Sequence, residues 1–264
     1  MPRAKRRLGQ HFLADPGILA RIADALEAAP GDSILEIGPG PGGLTAALLA
    51  RAGRVVAIEK DSDLIEPLST RFPTLELVHG DALDIDWHGL MGGSFLLAGN
   101  IPYNITSPLL DKALTPPVPR RIVFLVQKEV ADRVTAPAGA GAYGALSVGI
   151  QAVARPERLF TVPAGAFHPR PKVDSAVLRL TPRDQPLVAE RDRDSFRAMV
   201  VGLFGFRRKQ IGRGLRELTG WESSRTSGAL REAEIVDTVR PEVLTPAEFV
   251  RLHRVLVDGG WAER

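Results

Sequence analysis

A short apolar segment, Ser33–Ile37, runs directly into the glycine loop Gly38-Pro-Gly-Pro-Gly-Gly43 and then into a helical pattern. This order places a tight turn between a strand and a helix N-terminus, where a ligand can approach the backbone closely. From about residue 17 to 180, further apolar runs alternate with helical patterns, as is typical of βα units on a mostly parallel sheet. The sequence therefore predicts an α/β, Rossmann-like domain that binds a nucleotide-type ligand.

Seven strands are predicted for this sheet. They comprise Ser33–Ile37 and residues 54–58, 75–79, 95–98, 121–126, 158–162 and 175–180. Helices are predicted at residues 17–28 and 45–51, beside the first strand. Residues 136–141, Ala-Pro-Ala-Gly-Ala-Gly, predict a flexible surface loop.

The pattern changes at Thr181-Pro-Arg-Asp-Gln-Pro186. Beyond this break the periodicity predicts only helices, at residues 193–204, 208–218, 227–232 and 245–257. The expected organisation is a domain over residues 1–181 with a mostly parallel seven-stranded sheet, followed by a small all-helical domain over residues 182–264.

Composition excludes several classes of protein. The 264 residues include no cysteine, which removes disulfide frameworks, thiol nucleophiles and Cys-based zinc sites. The five histidines are widely spaced, so no metal site is predicted. No apolar run approaches the roughly 20 residues of a membrane span. We expect a soluble, cytoplasmic protein that is monomeric.

Basic residues cluster in two places although the net charge is only +3. The first cluster is Arg3, Lys5, Arg6 and Arg7; the second, within residues 203–216, is Arg207, Arg208, Lys209, Arg213 and Arg216. Neither run contains an acidic residue, which suits phosphate contacts. A solvated surface is the alternative for each.

The glycine loop leaves the class of cofactor open at first. Gly38, Gly40 and Gly43 match the dinucleotide-binding fingerprint, and Glu59 stands near the position of its ribose-binding acid. Pro39 and Pro41, however, remove backbone donors that a pyrophosphate would need. A phosphate-free nucleoside such as S-adenosylmethionine fits better.

Two carboxylates complete the predicted cofactor contacts. Glu59 can accept hydrogen bonds from both ribose hydroxyls, and Asp81, in His79-Gly-Asp-Ala82, can accept from an adenine amino group. The alternatives are a plain tight turn at the glycines and a helix N-cap at Asp81.

Asn100-Ile-Pro-Tyr103 follows the fourth strand. An exocyclic adenine amine is a poor nucleophile because its lone pair is delocalised into the ring. The Asn100 side-chain oxygen and the Ile101 carbonyl could each accept one N–H and align that lone pair with an incoming methyl group. Pro102 stiffens the backbone and Tyr103 offers a stacking face. An ordinary turn is the alternative interpretation.

This tetrapeptide resembles motif IV of amino-group methyltransferases, and three further blocks narrow the resemblance. They are Arg7-Leu-Gly-Gln-His-Phe-Leu13, Phe167-His-Pro-Arg-Pro-Lys-Val-Asp-Ser175 and Phe204-Gly-Phe-Arg-Arg-Lys209. Together they resemble the small-subunit ribosomal RNA adenine-N6,N6-dimethyltransferases of the KsgA type. The resemblance extends from residue 7 to about 220, and His11 and Pro41 depart from the family's usual Asn and Leu.

The resemblance implies S-adenosylmethionine contacts at His11, Leu13, Gly38, Glu59, Asp81 and Asn100, with Gln10 supporting the same loop. The neighbours Gly40, Lys60 and Ala82 complete the set that we predict to bind the cofactor. Residues Asn100, Ile101, Pro102 and Tyr103 would hold the target amine, and Phe167 would close on the opposite face of a flipped adenine. We predict RNA contacts at Lys172, Arg207, Arg208, Lys209 and Arg213. Phe167 as simple core is the alternative.

The family transfers two methyl groups to each of two adjacent adenines in a hairpin near the 3′ end of 16S rRNA, and it acts in small-subunit assembly. The resemblance implies the same activity here. Three alternatives remain: a 23S rRNA methylase of the erythromycin-resistance type, an NAD-dependent oxidoreductase, and a non-catalytic ribosome assembly factor. The last has no need of Asn100 or Glu59.

Overall fold

The computed structural model describes residues 4–5 and 8–262, which form two compact units. The first comprises Met1–Ala131 and Pro156–Pro182, and the second comprises Asp132–Arg155 and Arg183–Arg264. The sequence placed one boundary after residue 181. The structure divides the chain close to that point but also assigns residues 132–155 to the second unit.

The first unit contains the seven predicted strands. They are β2 (Ser33–Ile37), β3 (Arg54–Glu59), β4 (Glu76–His79), β5 (Leu96–Asn100), β6 (Arg121–Gln127), β7 (Ala154–Val162) and β9 (Ser175–Pro182). Their order in the sheet is β4-β3-β2-β5-β6-β9-β7. Strands β2 to β6 pair in parallel and β9 pairs antiparallel with β6, which confirms the mostly parallel α/β sheet.

The helices of this unit cross between the strands. They are α1 (Pro16–Asp24), α2 (Gly43–Leu49), α3 (Ile65–Arg71), α4 (Trp87–Met91), α5 (Thr106–Ala113) and α6 (Lys128–Thr135), which runs on into the second unit. Helix α1 begins at Pro16 because the Asp15 side chain accepts from the Ile18 N–H and Pro16 needs no donor partner. It ends four residues earlier than the periodicity predicts.

The sheet core is aliphatic and fully enclosed. Ile34, Leu35, Val56 and Leu97 are each 0% exposed. Strands covered on both faces are expected to be continuously apolar, which explains why these runs are recognisable in the sequence. Burial of each such side chain stabilises the fold by about 1.5–3 kcal/mol.

A second, two-stranded sheet was not predicted. Strand β1 (Phe12–Leu13) pairs antiparallel with β8 (Phe167–His168), so that Phe12 lies opposite His168 and Leu13 opposite Phe167. This pairing joins the segment before α1 to the segment before β9. It places the two ends of the first unit's sequence beside each other.

The second unit is helical. It contains α7 (Ala145–Val153), α8 (Arg193–Gly205), α9 (Ile211–Thr219), α10 (Ser223–Glu232) and α11 (Pro246–Asp258). Residues 183–262 contain no strand, as predicted. Phe204, Phe249 and Tyr143 form an aromatic cluster at its core, with the Tyr143 hydroxyl donating to the Leu244 carbonyl.

Residues 136–141 form a loop, as predicted, and the Gly139 N–H donates to the Glu242 carbonyl within the second unit. Among the described residues, no helix is long and apolar enough to cross a membrane.

Candidate active site

One cavity lies at the carboxyl ends of the central strands. Because β3, β2 and β5 are parallel neighbours, the segments that follow them converge at one edge of the sheet. The cavity is lined by thirteen of the predicted site residues: Gln10, His11, Leu13, Gly38, Gly40, Glu59, Lys60, Asp81, Ala82, Asn100, Ile101, Pro102 and Tyr103. The glycine loop, the carboxylates of Glu59 and Asp81, and the segment that begins at Asn100 are therefore parts of one site.

The glycine loop uses its N–H groups internally. Gly38 N–H donates to the Ile58 carbonyl (2.9 Å), Gly40 N–H to Glu59 Oε2 (3.1 Å) and Gly42 N–H to the Pro39 carbonyl (2.9 Å). Pro39 and Pro41 have no N–H to offer. All three glycines have positive φ, of 67°, 56° and 84°, which side chains with a Cβ rarely adopt. Residues 38–42 therefore offer no unpaired backbone donors to a phosphate.

Glu59 ends β3 and is only 5% exposed. Its Oε1 accepts from the Asp61 N–H at 2.7 Å and its Oε2 accepts from Gly40, so the carboxylate has a fixed orientation. Burial raises its pKa, and the hydrogen bonds from Asp61 and Gly40 oppose the rise. Each oxygen retains a lone pair for a ligand hydroxyl.

Glu36 is a second buried acid at the cavity, and the sequence analysis did not select it. It lies in the middle of β2, is 1% exposed and accepts from Thr45 Oγ1 at 2.7 Å. Burial raises the pKa of Glu36 to about 8. The sequence does contain a signal that could have identified Glu36: it is an acidic residue in a strand that is otherwise apolar after its first residue, and a buried acid in such a place needs a reason.

Asp81 follows β4 and is held from both sides. Its Oδ1 accepts from the Leu83 N–H at 3.0 Å and its Oδ2 from Lys60 Nζ at 2.5 Å. The hydrogen bond from Lys60 leads the interactions that lower the pKa of Asp81, which keeps it ionised. It caps a turn that precedes α4 rather than the helix itself, whose N-cap is Asp86. Asp81 and Ala82 both line the cavity.

Asn100 is the last residue of β5, and its amide is oriented by one hydrogen bond. Nδ2 donates to the His11 carbonyl at 2.9 Å. With the amide nitrogen held there, Oδ1 is the end of the side chain that can accept from a substrate amine. Ile101 is 1% exposed and its N–H donates to the Leu125 carbonyl, so the backbone is also fixed at this point.

Tyr103 is half-buried beside Asn100. Its hydroxyl hydrogen-bonds to Ser175 Oγ at 2.8 Å, and its ring stacks on His11 with centroids 5.6 Å apart. Burial raises the pKa of Tyr103, so the phenol is neutral at physiological pH. The His11 ring therefore packs on Tyr103 within the cavity wall, with His11 Nδ1 2.8 Å from the Pro169 carbonyl.

Phe167 is not among the residues that line the cavity, although Leu13, its partner in the small sheet, is one of them. It is 5% exposed, pairs with Leu13 across the small sheet and packs in the core with Val162 and Val177. The stacking of Phe167 on a flipped adenine stays a prediction, which requires that the Phe167 side chain become accessible to the base. In this structure the alternative interpretation, Phe167 as core, describes its position. Sequence pattern alone could not distinguish an aromatic core residue from a stacking one.

The predicted RNA-binding residues differ in whether they form ion pairs. Arg207 pairs with Glu242 (3.0 Å) and Lys209 with Glu217 (3.3 Å). Within the described part of the chain, Arg208, Arg213 and Lys172 are exposed and have no ion-pair partner. Two acidic residues, Glu242 and Glu217, therefore neutralise part of the positive charge that the sequence of this run carries.

The N-terminal basic run is only partly described. Lys5 pairs with Asp61 and Asp63, and Arg3, Arg6 and Arg7 lie outside the described residues. Among the residues that the structure describes, no group of three or more potential metal ligands comes together.

Known proteins resemble the chain over nearly its full length. Residues 1–256 match the ribosomal RNA adenine dimethylase family. A protein of Geobacter metallireducens named ribosomal RNA small subunit methyltransferase A is 42% identical, with 98% of this chain and 97% of that protein covered. A protein of the same name from Pseudomonas aeruginosa is also 42% identical, over 97% of this chain and 96% of that protein.

Two solved structures have the same fold. A dimethyladenosine transferase from Plasmodium falciparum superposes with a TM-score of 0.84 at 26% identity, covering 95% of this chain and 99% of that one. The 23S rRNA methyltransferase ErmE superposes with a TM-score of 0.74 at 30% identity, covering 93% and 99%. The chain belongs to the ribosomal RNA adenine dimethylase family.

Proposed function

We propose that this rRNA adenine dimethyltransferase uses S-adenosylmethionine to methylate N6 of two adjacent adenines in the hairpin near the 3′ end of small-subunit rRNA, and that it acts in small-subunit biogenesis. The observation that carries the proposal is the Asn100 amide, fixed by His11 with its oxygen available in the same cavity as Glu59 and Asp81. The two relatives named for the small subunit are 42% identical, whereas ErmE, named for 23S rRNA, is 30% identical.

The chemistry of the cavity fits S-adenosylmethionine. The described residues that line it include three carboxyl groups, Glu36, Glu59 and Asp81, and one lysine, Lys60, which is bound to Asp81. Of these three carboxyl groups, Asp81 is kept ionised, and an anionic carboxylate favours a ligand with sulfonium and ammonium charges and repels a diphosphate. Glu36, whose pKa is raised to about 8, is mostly protonated at pH 7 and contributes shape rather than charge. The loop's lack of unpaired N–H groups is a second argument against a dinucleotide, because a pyrophosphate needs several.

Each predicted contact follows from the position of an acceptor. Glu59 would accept from the ribose hydroxyls, Asp81 from the adenine amino group, and the positive-φ glycines would allow close approach of the ligand to the loop. The loop backbone is a weaker candidate for the amino-acid end, since its N–H groups are already bonded. S-Adenosylmethionine supplies an electrophilic methyl group carried on its sulfonium sulfur.

The target adenine is activated by position rather than by a base. Asn100 Oδ1 and the Ile101 carbonyl would accept the two N6 hydrogens and turn the nitrogen lone pair toward the methyl group. Pro102 stiffens this loop, and the Tyr103 ring lines the same cavity and provides a stacking surface. The proton that N6 loses after transfer passes to solvent. A monomethylated N6 still has one hydrogen and a lone pair, so the same site can act twice.

RNA binding needs positive charge that is not already neutralised. Arg208 and Arg213 of the helical unit, and Lys172 of the first unit, are exposed and have no ion-pair partner among the described residues. Lysine and arginine side chains in this state can replace counterions along an RNA backbone. We assign the phosphate contacts first to these three residues and second to Arg207 and Lys209, which must leave Glu242 and Glu217.

Methyl transfer from tritiated S-adenosylmethionine to isolated ribosomal particles tests the proposal. Small subunits that lack adenine dimethylation should take up label, whereas fully methylated small subunits, the matched control, should not. Label entering only large subunits would favour the 23S rRNA alternative. The absence of label in every particle, despite measurable cofactor binding, would favour the assembly-factor alternative.

A further inference from the structure

A short N-terminal segment forms one wall of the cavity. Residues 8–13 all line it, and Gly9, with φ of 64°, lies close to Pro102 and Asn104: a Cβ there would be 3.6 Å from Pro102 Cβ and 3.0 Å from Asn104 Oδ1. The segment has almost no regular structure before β1. Its position must therefore be fixed by side-chain contacts, which raises the question of what holds it.

Residues 11–13 are held by different contacts from Lys5 and residues 8–10. His11 to Leu13 are fixed by the β1–β8 pairing, by the Pro169 carbonyl beside His11 Nδ1 and by the bond from Asn100. The side chains of Lys5 and Gln10 instead both bind Asp61. Lys5 Nζ lies 2.5 Å from Asp61 Oδ1, and Gln10 Nε2 donates to Asp61 Oδ2 at 2.9 Å. The Lys5 N–H also donates to Gln10 Oε1 at 2.7 Å, which closes the loop on itself.

Asp61 is unusually buried for a carboxylate. It is 3% exposed, and besides Lys5 and Gln10 it accepts from the Asp63 N–H at 3.1 Å. Its own N–H donates to Glu59 Oε1 at 2.7 Å. Burial raises the pKa of Asp61, but the hydrogen bonds from Lys5, Gln10 and Asp63 together hold it below its ordinary value. A buried charge with this many partners costs free energy if any partner is removed.

We propose that Asp61 is a positioning residue for the cofactor: through Lys5 and Gln10 it holds residues 8–10 in the cavity wall, while its backbone N–H holds the Glu59 carboxylate. This inference rests on the proposed function, because it takes the cavity to be the S-adenosylmethionine site. Residues 100–103, which we propose to hold the target amine, have their own hydrogen bonds to His11, Ser175 and Leu125. Loss of the Asp61 side chain therefore weakens cofactor binding and leaves methyl transfer at saturating cofactor largely intact.

The test compares Asp61→Asn with Asp63→Asn. The first keeps the shape and the backbone bond to Glu59 but turns an N–H group toward Lys5 or Gln10, which are themselves donors. The second, the matched control, removes a carboxylate that also pairs with Lys5 (2.6 Å) but whose side chain is 70% exposed and does not contact Gln10. Exposed pairs of this kind contribute little.

For Asp61→Asn we expect the Kd and KM for S-adenosylmethionine to rise about tenfold, with kcat within about threefold of the wild type, because a buried charge-assisted hydrogen bond is lost. Asp63→Asn should change both constants less than about twofold. Equal effects of the two variants, an unchanged Kd for Asp61→Asn, or a loss of kcat at unchanged Kd would overturn the proposal.

Hydrogen exchange separates this inference from the proposed function. In the ligand-free protein, the peptide covering residues 4–11 should exchange faster in Asp61→Asn, while β2 and β5 remain as protected as in the wild type. Unchanged exchange in residues 4–11 would contradict the positioning role whatever the ligand. If the wild type itself fails to bind S-adenosylmethionine, the proposed function fails instead. Should Asp61→Asn not fold, Lys5→Met provides the same readouts with a smaller expected rise in Kd.

Discussion

Asn100 and Arg208 are both proposed to act on RNA, and the structure holds them in opposite ways. Asn100 is the last residue of the buried strand β5, and its amide donates to the His11 carbonyl, whereas Arg208 is exposed and has no ion-pair partner among the described residues. A group that aligns a lone pair must be placed to within a fraction of an ångström, because misplacement costs rate steeply. A group that neutralises phosphates needs only charge and reach. Rigidity therefore distinguishes the residue proposed to be catalytic, and exposure distinguishes the residue proposed to bind RNA.

The largest effect should come from Asn100→Ala. We expect kcat to fall by about 10³-fold, a loss comparable to removal of one preorganised polar group in other enzymes. Affinity for small subunits should stay within about twofold, because Asn100 carries no charge. Methyl transfer and filter binding of the same particles measure the two quantities. An equal loss of both would remove the distinction between a catalytic and a binding region.

The dependence of protein stability on pH tests the buried region of the molecule, where Glu36 lies. Its pKa is raised to about 8 in the folded protein, above the ordinary value of 4.5, so the folded state holds a proton that the unfolded state has released. The stabilisation that this bound proton gives the folded state is complete below about pH 4.5 and is lost as the pH rises toward 8. The free energy of unfolding falls by at most about 1.4 kcal/mol per pH unit in that range.

Glu36→Gln should remove this pH dependence. The free energy of unfolding, measured by urea denaturation between pH 5 and pH 8, should fall less steeply with pH in the variant than in the wild type, with a difference on the order of 2 kcal/mol across that range. Parallel curves for the two proteins would show that Glu36 is ionised in the folded state.

The unpaired arginines should contribute more to RNA affinity than the paired residues. Replacing both Arg208 and Arg213 by Ala should weaken binding to small subunits about tenfold at moderate salt. It should also reduce the slope of log K against log salt by about 0.7–0.9 per lost phosphate contact. Binding measured over a salt series checks both numbers. A change in thermal stability without a change in slope would show that the arginines are structural.

The paired residues give the matched control. Replacing Arg207 and Lys209 by Ala should weaken RNA binding only about threefold, since each side chain must first leave an acidic partner. If this pair lowers affinity as much as the Arg208 and Arg213 pair, the ion pairs seen in the structure do not limit binding.

The smallest effect is expected for Lys172. It is exposed in the segment before β9, and as a single phosphate contact its replacement by Ala should weaken RNA binding about twofold to threefold. The same salt series measures it, and Val173→Ser, an exposed neighbour, serves as the control.

The sequence was informative where local pattern decides structure. All seven strands of the main sheet were predicted from short runs rich in apolar residues, which are most nearly continuous in the central strands β3, β5 and β6, and the glycine loop identified the edge where the cavity lies. The two-residue strands β1 and β8 were missed because such a pairing joins residues more than 150 positions apart and has no periodicity.

Long-range contacts explain the remaining differences at the site. Glu242 neutralises part of the basic run from outside it, and the partner of Tyr103, Ser175, follows it by 72 positions. Whether Phe167 faces the cavity or the core depends on the same small sheet that pattern analysis could not detect. Charge and aromatic character can be read from a sequence, but the partners that neutralise or bury them are set by tertiary structure.

The most direct test is oligonucleotide mass spectrometry of small-subunit rRNA after reaction with wild-type protein and with Asn100→Ala. The fragment from the 3′-terminal hairpin should gain four methyl groups, two on each of two adjacent adenines, with the wild type, and none with the variant. Methyl groups elsewhere in the rRNA, or full methylation by Asn100→Ala, would contradict the assignment of this cavity as the adenine dimethylation site.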